Sequence, residues 1–186
     1  MRNAKAQIMT DSPTFQIYKN LAWLNDLPEA QAESAFRDCC GSVRWARRMA
    51  LARPFRVLDD LYETAEKLWW SLSPGDHLEA FAAHPKIGSK GSATGPKAKS
   101  AQWSKGEQSR VEGAPAAVRR ALAEANRLYE KKFGFIFIVC ATGKSAEEML
   151  AICKARLGNS VETEIRLAAE EQRKITEIRL NKLLER

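Results

Sequence analysis

Only one stretch of this sequence has the composition of a β-strand, and that restricts the fold more than any other feature. Residues 135–141 read Phe-Ile-Phe-Ile-Val-Cys-Ala, rich in the β-branched and aromatic residues that favour strands. A single strand cannot form a sheet, because its backbone groups would have no neighbouring strand to pair with. We therefore interpret 135–141 as a buried extended or irregular segment, and we predict an all-α, single-domain fold.

Helix start and stop signals divide the rest of the chain into about eight predicted helices. The stretch Asn25-Asp26-Leu27-Pro28 starts a helix that ends before Gly41, Ser42 caps the next helix, and Pro115 starts a long helix that ends before Gly134. Ser145 with Glu148 fits a capping box that starts a helix to Leu157. Apolar residues at i, i+3 and i+4 spacing predict the buried residues of the segment 42–72. These are Trp45, Met49, Leu51, Leu58, Leu61, Ala65, Leu68, Trp69 and Leu72.

At 186 residues the chain is long enough for one domain with a substantial core. Residues 1–13 are polar and are predicted to be flexible, and 14–186 are predicted to form the helical domain. No run reaches the ~18 apolar residues of a membrane helix, and the N-terminus lacks the apolar stretch of a signal peptide. The four cysteines show no metal-ligand spacing, and the adjacent Cys39 and Cys40 cannot form a relaxed disulfide. We interpret them as reduced packing residues of a cytoplasmic protein.

Positive charge is concentrated in the second third of the chain. Between His84 and Arg120 there are eight basic and two acidic residues, which accounts for most of the net charge of +7. Such a basic field concentrates anions. The anion could be a small acidic substrate or a nucleic-acid backbone, and a face that serves only solubility is the structural alternative.

The sequence contains two histidines, His77 and His84. Histidine is the usual proton-transfer group, because its ordinary pKa lies nearest neutrality. His84 is the better placed, since the apolar run 78–83 before it is typical of a helix end and Pro85 disfavours helical geometry at His84. The ring is therefore predicted to lie where a helix gives way to a loop. The structural alternative is a histidine that only neutralises the last helix carbonyls.

Residues 86–100 contain three glycines, other small residues and lysines, which predicts a binding loop or lid. A phosphate-binding loop would end in Gly-Lys-Ser/Thr and come directly after a strand. This stretch has neither feature, so we discount that interpretation. The stretch from Trp103 is predicted to open the next helix. Ser104 with Glu107 three residues later fits a capping box, which is the structural interpretation of both residues.

The predicted last helix carries a charged residue on its apolar face. Ile175, Ile178 and Leu183 share this face, and Arg179 lies in its middle. A buried cation needs a partner, because burying it alone is costly. Two interpretations stay open: a snorkelling side chain or internal ion pair, or an arginine that holds a bound carboxylate.

These residues belong to an ordered set of motifs that resembles the 2-oxo-4-hydroxy-4-carboxy-5-ureidoimidazoline (OHCU) decarboxylase family, which completes the breakdown of urate to (S)-allantoin. Each motif alone is weak, but eight in the same order from about Phe15 to the C-terminus are specific. The motifs are Leu24-Asn25; Cys39-Cys40-Gly41-Ser42 with Trp45; Arg53-Pro54-Phe55; His84-Pro85-Lys86-Ile87-Gly88; Ser104-x-x-Glu107-Gln108; Gly134-Phe135-x-Phe137; Arg156-x-x-Asn159 with Glu164; and Lys174-Ile175-x-x-x-Arg179-Leu180.

The resemblance implies an all-α fold, often a homodimer, and decarboxylation of an anionic small molecule without a metal or organic cofactor. It places the catalytic histidine on His84 and the catalytic glutamate on Glu107, which can orient the ring and raise its basicity. The substrate-binding arginine maps to Arg179, with Arg156 as the alternative. The other substrate-binding positions are Pro85, Ser104, Gln108 and a pocket-lining backbone segment, Ile138, Val139, Cys140, Ala141 and Thr142.

Two features depart from the family's pattern. Ile136 stands where a Gly-Phe-Pro-Phe motif has proline, which puts the shape of the pocket wall in doubt, and the loop 89–101 is longer and richer in glycine and lysine than usual. Neither removes a catalytic group.

A helical module that binds nucleic acid is the alternative class of function for the basic stretch. It predicts aromatic residues interleaved with the cations for base stacking, and Trp103 is the only aromatic residue between positions 84 and 120. It also leaves His84, Glu107 and Arg179 without a role.

Overall fold

The structure of the chain, a computed structural model, describes residues 13–87, 98–107, 111 and 113–185. Within these ranges there are nine helices and no strand, which confirms the all-α prediction and adds one helix to the expected number. Residues 1–12, predicted to be flexible, and most of the predicted lid, 88–97, lie outside the described residues. The helices are α1 (Pro13–Asp26), α2 (Glu29–Cys40), α3 (Val43–Leu51), α4 (Leu58–Trp70), α5 (Pro74–Ala82), α6 (Ala98–Glu107), α7 (Ala116–Phe133), α8 (Ala146–Arg156) and α9 (Val161–Leu184).

Glycine ends α2 and α7 at the predicted positions. Gly41 has a φ of 89° and Gly134 a φ of 78°, the left-handed geometry that side chains with a Cβ rarely adopt. A Cβ at position 41 would lie 2.5 Å from the Cβ of Ala83, so Gly41 also allows the end of α2 to approach the end of α5. Because Ala83 immediately precedes His84, this close approach fixes the point where α5 gives way to the loop.

Predicted serine caps are confirmed at α3 and α8. Ser42 Oγ accepts a hydrogen bond from the N–H of Trp45 (3.3 Å). Ser145 and Glu148 form the predicted capping box: Ser145 Oγ accepts from the N–H of Glu148 (3.2 Å), and the Glu148 carboxylate accepts from the N–H of Ser145 (2.6 Å). These local bonds explain why the starts of these helices could be predicted from sequence.

The predicted capping box at Ser104 and Glu107 is wrong. α6 begins at Ala98, so both residues lie in its last turn and not its first. Their side chains accept hydrogen bonds from Arg179, a residue of α9, instead of capping the helix. Pro96, two residues before α6, is the start signal that the sequence analysis passed over.

Three smaller predictions also need correction. Leu51, predicted to be buried, is 59 % exposed at the end of α3, although Trp45 and Met49 are fully buried as predicted. Asn25 and Asp26 end α1 instead of starting α2. α1 begins at Pro13, inside the segment expected to be flexible.

The long helix α9 is central to the packing. It contacts α1, α2, α4 and α5, while α2 packs against α3 and α7 against α8. Segment 135–141 is irregular and mostly buried, as predicted. Its Phe135 and Phe137 rings pack on Tyr129 of α7, at centroid distances of 5.7 and 5.3 Å. Among the described helices, none is both long and apolar enough to cross a membrane.

Candidate active site

His84 lies just beyond the C-terminus of α5, as predicted. Its N–H donates to the carbonyl of Phe81 (3.1 Å), which closes the last helical turn. The imidazole is partly exposed at the wall of a cleft, whereas its Nε2 is enclosed and has no hydrogen-bond partner among the described residues. His77 lies elsewhere: its ring packs on Trp69 (4.3 Å between centroids), and its Nε2 is 3.1 Å from the carbonyl oxygen of that residue.

The cleft beside His84 holds about 410 Å³ of space that protein atoms do not fill, part of it open to solvent. Segment 135–141 and α9 both contribute to its walls, and the end of α6 contributes Glu107. Eight of the eleven described lining residues have apolar side chains, and the Glu107 side chain is only 10 % exposed, so its charge is poorly solvated and interacts strongly with its neighbours. The described lining residues are His84, Pro85, Ile87, Glu107, Phe137, Ile138, Val139, Ala141, Thr142, Ile175 and Ile178.

Glu107 is the acidic residue among these, and two cations from α9 hold its carboxylate. Arg179 donates from Nε to Oε1 (3.2 Å) and from Nη2 to Oε2 (2.9 Å), and Lys182 Nζ donates to Oε1 (3.1 Å). Arg179 Nη2 also donates to Ser104 Oγ (2.8 Å). The side chains of Arg179 and Glu107 are 2 % and 10 % exposed. The cation on the apolar face of α9 therefore has the internal ion pair that one interpretation required.

The same groups set the protonation of His84. Burial, and secondarily the positive charge of Arg179, lower its pKa from 6.5 to about 3, although Glu107 and the Gln172 side chain act in the opposite direction. Burial alone would raise the pKa of Glu107, but the hydrogen bonds and charges of Arg179 and Lys182 outweigh it and hold that pKa below its ordinary value. At neutral pH the site therefore holds a neutral imidazole near a charged carboxylate.

Glu107 and His84 lie at the same cleft but are not hydrogen-bonded to each other in the described part of the chain. Both carboxylate oxygens of Glu107 already accept bonds from Arg179 or Lys182. Glu107 therefore acts on the ring through its charge, which raises the pKa of His84 against the larger opposing effects.

Most of the predicted substrate-binding residues meet at this cleft. Pro85 and four of the five residues 138–142 line it, and Ser104 adjoins it through Arg179. Cys140 is not among the lining residues; its N–H donates to Glu171 (2.8 Å), and its carbonyl accepts from Lys144 (2.8 Å). Gln108 lies outside the described residues.

The alternative arginine, Arg156, is in a closed network behind the same wall. Its Nε donates to Glu164 Oε1 (2.6 Å), and its Nη1 donates to the carbonyl of Ile138 (2.8 Å). Glu164 also accepts hydrogen bonds from Tyr129 and Asn159. Neither arginine is among the described lining residues of the cleft. Arg156 supports the backbone of the wall through Ile138, whereas Arg179 binds Glu107, which does line the cleft.

The sequence analysis missed two residues of this region, Gln172 and Lys182. Gln172 is fully buried and lies seven residues before Arg179, on the same face of α9. A signal for Gln172 existed, because it is a polar residue in the apolar stripe, the anomaly that identified Arg179. Lys182 has no such signal, since a lysine in the last turn of a helix is common.

Other predicted features lie outside the cleft. The four cysteines are all buried, and none forms a disulfide. Across the described ranges, no group of three or more His, Cys, Asp or Glu side chains could hold a metal ion. In the basic stretch, Lys86 pairs with Glu130 at the surface (2.7 Å), whereas Lys90, Lys97 and Arg110 lie outside the described residues.

Comparison with known proteins identifies relatives of the chain. The uric acid degradation bifunctional protein TTL of Arabidopsis thaliana is 43 % identical over 155 residues, which are 81 % of this chain and 47 % of that protein. The chain thus spans about half the length of this plant relative. The OHCU decarboxylase of Amia calva is 32 % identical over 136 residues, or 72 % of this chain and 75 % of that protein.

Structure comparison agrees with the sequence relatives. A crystal structure of OHCU decarboxylase in the presence of (S)-allantoin matches with a TM-score of 0.70 and 38 % identity, covering 81 % of this chain and 97 % of that one. The sequence model of the OHCU decarboxylase family matches residues 25–181, which include His84, Glu107 and Arg179. The chain belongs to the OHCU decarboxylase family.

Proposed function

We propose that this chain decarboxylates OHCU to (S)-allantoin at the His84 cleft, a step of urate degradation. The observation that carries the proposal is a neutral, half-enclosed imidazole near an ion-paired glutamate in a small, mostly apolar cleft. Membership of the OHCU decarboxylase family supports the same chemistry.

The substrate's own groups decide what the protein must supply. OHCU carries a hydroxyl and a carboxylate on one ring carbon, next to the C=N bond of its imidazoline ring. When the bond to the carboxylate breaks, CO₂ leaves, the electron pair forms a double bond between the two ring carbons, and the π electrons of the C=N bond move onto the ring nitrogen, which takes a proton from solvent. The hydroxyl then loses its proton and becomes a carbonyl, and the neighbouring ring carbon, from the former C=N bond, gains a proton. Because the electron sink lies in the substrate, the protein has to bind and desolvate the substrate and to transfer protons.

A neutral His84 is suited to these proton steps. Its lowered pKa keeps a lone pair available to accept the hydroxyl proton. The carboxylate of the substrate adds negative charge beside the ring and raises its proton affinity, as Glu107 already does. After CO₂ leaves, the imidazolium donates a proton to the ring carbon of the former C=N bond and returns to the neutral form. His84 thus acts first as a base and then as an acid.

Arg179 is the proposed anchor for the anionic substrate. Its Nε and Nη2 bind Glu107 and Ser104, whereas its Nη1 has no hydrogen-bond partner among the described residues. A guanidinium held by one carboxylate presents its remaining donor in a fixed direction, and poor solvation strengthens its bond to a carboxylate or ureido oxygen. The negative charge of Glu107 also repels the carboxylate of the bound substrate but not the neutral CO₂ that it becomes. This difference favours decarboxylation.

The wall formed by residues 138–142 is proposed to contact the substrate through its backbone. Arg156 holds the carbonyl of Ile138, and Glu171 holds the N–H of Cys140, so the backbone between these bonds is constrained from behind. A rigid wall limits the orientations that a bound ring can adopt. The substrate-binding positions are Pro85, Ser104, Gln108, Ile138, Val139, Cys140, Ala141, Thr142 and Arg179.

We also propose that the enzyme is a cytoplasmic homodimer that needs no metal or organic cofactor. The family resemblance supports the dimer, and four buried cysteines that form no disulfide support a reducing compartment. Analytical ultracentrifugation tests the dimer, and the decarboxylation rate after dialysis against a chelator tests the absence of a metal. A monomer, or a rate lost on chelation and restored by a metal ion, would contradict these two proposals.

The test of the proposed function is a matched pair of histidine variants. His84→Asn is expected to fold and to lose ~10²–10⁴-fold in the decarboxylation rate, the usual contribution of a positioned acid–base group. His77→Asn, which changes the histidine packed on Trp69, is expected to keep most of the activity. The rate is followed by the ultraviolet absorbance of OHCU generated from urate. A near-wild-type rate for His84→Asn, or equal losses in both variants, would reject the proposal.

A further inference from the structure

Two enclosed side-chain atoms in the described structure lack a hydrogen-bond partner: Nε2 of His84 and Oε1 of Gln172. Such atoms are rare in proteins, because an enclosed polar atom without a partner loses its hydration and gains nothing in exchange. The two atoms are chemically complementary. A neutral imidazole can carry a hydrogen on Nε2 and donate it, and an amide oxygen can only accept.

The surroundings of Gln172 orient its amide. Its Nε2 donates to Thr176 Oγ1 (3.1 Å), and the Thr176 hydroxyl donates to the main-chain carbonyl of Gln172 (3.0 Å). Because the NH₂ group is bound to Thr176, the other end of the amide is the free oxygen. Gln172 is fully buried and is not among the described residues that line the cleft.

α5, which leads into His84, packs against α9, which carries Gln172. The Gln172 side chain is close enough to the ring to raise the pKa of His84, although no hydrogen bond joins the two side chains in the described structure. His84 lines the cleft and Gln172 does not, so Gln172 approaches the ring from the core side.

We propose that Gln172 is a positioning residue for His84: its amide oxygen accepts a hydrogen bond from Nε2–H in the substrate complex, which leaves the Nδ1 lone pair towards the cleft. The inference rests on the proposed function of His84. Catalytic hydrogen bonds are often long in unliganded enzymes and tighten when substrate binds. Without this acceptor the ring hydrogen can occupy either nitrogen, and a ring with Nδ1–H cannot accept the hydroxyl proton at the atom that faces the cleft.

The support behind Gln172 is uncharged. Thr176 also interacts with the thiol of Cys40, whose pKa burial raises to about 11, so this thiol stays protonated at neutral pH. The charges that act on His84 come from Arg179, two turns further along α9, and from Glu107 at the end of α6. Gln172 can therefore select the tautomer without adding a charge to the core.

The tautomer can be read directly, because the chain has only two histidines. In protein labelled with ¹⁵N at the imidazole nitrogens, His77→Asn assigns the signals of His84. The inference predicts a hydrogen on Nε2 and none on Nδ1 in the wild-type protein with (S)-allantoin bound. Gln172→Met, which has similar length and no acceptor oxygen, is expected to show a mixture of tautomers. A wild-type His84 with the hydrogen on Nδ1 overturns the inference, whether or not any variant folds.

Kinetics separate positioning from packing. Gln172→Met is expected to lower kcat on the order of 10-fold with an unchanged KM, part of the ~10²–10⁴-fold that an acid–base group supplies. Gln172→Glu keeps an acceptor oxygen, so it should recover part of kcat, and its negative charge should shift the pH dependence of kcat upwards. Asn20→Leu is the matched control: it removes a buried amide that binds the Leu184 carbonyl (2.9 Å) of α9 outside the described lining of the cleft. This control should lower stability alone.

The outcomes distinguish this inference from the proposed function. If His84→Asn is inactive while Gln172→Met keeps the wild-type kcat and His84 tautomer, the inference about Gln172 is wrong and the function stands. A change in KM alone would mean that Gln172 contacts the substrate, which also overturns the positioning role. If His84→Asn keeps full activity, the proposed function itself is wrong.

Discussion

Two buried arginine–glutamate pairs flank the wall of the same cleft, and their surroundings differ. Arg156 and Glu164 form a closed network, in which Tyr129 and Asn159 donate to the carboxylate and Ile138 accepts from the guanidinium. Their side chains are 10 % and 0 % exposed.

Arg179 and Glu107 form a pair that reaches the cleft through its carboxylate. Glu107 lines the cleft, and Arg179 keeps one guanidinium nitrogen without a partner among the described residues. The difference teaches that the chemistry of a buried ion pair does not decide its role. A pair with every donor and acceptor satisfied stabilises the fold, whereas a pair with a spare donor at a cleft can bind an anion.

The largest effect is expected from breaking the closed pair. Arg156→Met leaves Glu164 buried without its counter-charge, which should lower the free energy of unfolding by ~3–5 kcal/mol. Arg173→Met is the control, because Arg173 binds the more exposed Glu66, Glu170 and Glu177 and such pairs contribute at most ~1 kcal/mol. Urea unfolding measures both. Equal losses would show that the Arg156 network is no more important than a surface pair.

Replacing each arginine by lysine should show which of the two pairs contributes to activity. Arg179→Lys keeps the charge but loses the planar fork, so it should cost ~10-fold or more in kcat/KM at any salt concentration. Arg156→Lys should lower stability and leave kcat/KM of the folded enzyme near the wild-type value. If Arg179→Lys is silent and Arg156→Lys is inactive, the substrate arginine is Arg156.

A charge-neutralised basic stretch is the control for Arg179→Lys. Replacing Lys86, Lys90, Lys97 and Lys99 by Met removes charges that attract the anionic substrate at long range. Their effect on kcat/KM should be smaller than that of Arg179→Lys and should vanish at high ionic strength. An Arg179→Lys deficit that vanishes with salt in the same way would argue against a direct contact.

A smaller effect is expected on the pH dependence of the free energy of unfolding, because Arg179 and Glu107 act on the pKa of His84. The pKa of His84 falls from 6.5 to about 3 in the folded protein, so only the unfolded chain binds this proton between those values. The contribution of neutral His84 to the free energy of unfolding is complete above pH 6.5 and is lost as the pH falls from 6.5 towards 3. Between pH 6.5 and 5, above the range where carboxylates titrate, wild-type unfolding free energy should fall on the order of 1 kcal/mol more than that of His84→Asn. Parallel curves for the two proteins would contradict the lowered pKa.

Local signals explain which parts of the fold could be predicted. Gly41, Gly134 and the Ser145–Glu148 box act on backbone groups a few residues away, so the sequence contains all the information. Ser104 and Glu107 have the same spacing as a capping box, but their partner Arg179 is 75 and 72 residues away. A rule that uses only nearby residues could not recognise that Ser104 and Glu107 lie in the last turn of a helix.

The site was predictable as a set of residues but not as a set of contacts. The helical pattern showed Arg179 out of place, and the family motifs placed it with His84 and Glu107. The pattern could not show that Arg179 binds both oxygens of Glu107, nor that no described hydrogen bond joins this carboxylate to His84. Such contacts depend on tertiary packing.

The most direct test of the comparison is the kcat of Glu107→Gln and Glu164→Gln, measured together with their urea unfolding. Both variants remove one negative charge from a buried pair, so both should lower stability. Only Glu107→Gln is expected to lower kcat, by ~10-fold or more and by more than it changes KM, because it alone alters the charge beside His84. An unchanged kcat for Glu107→Gln, or equal losses of kcat in the two variants, would contradict the assignment of Glu107 to catalysis and Glu164 to the fold.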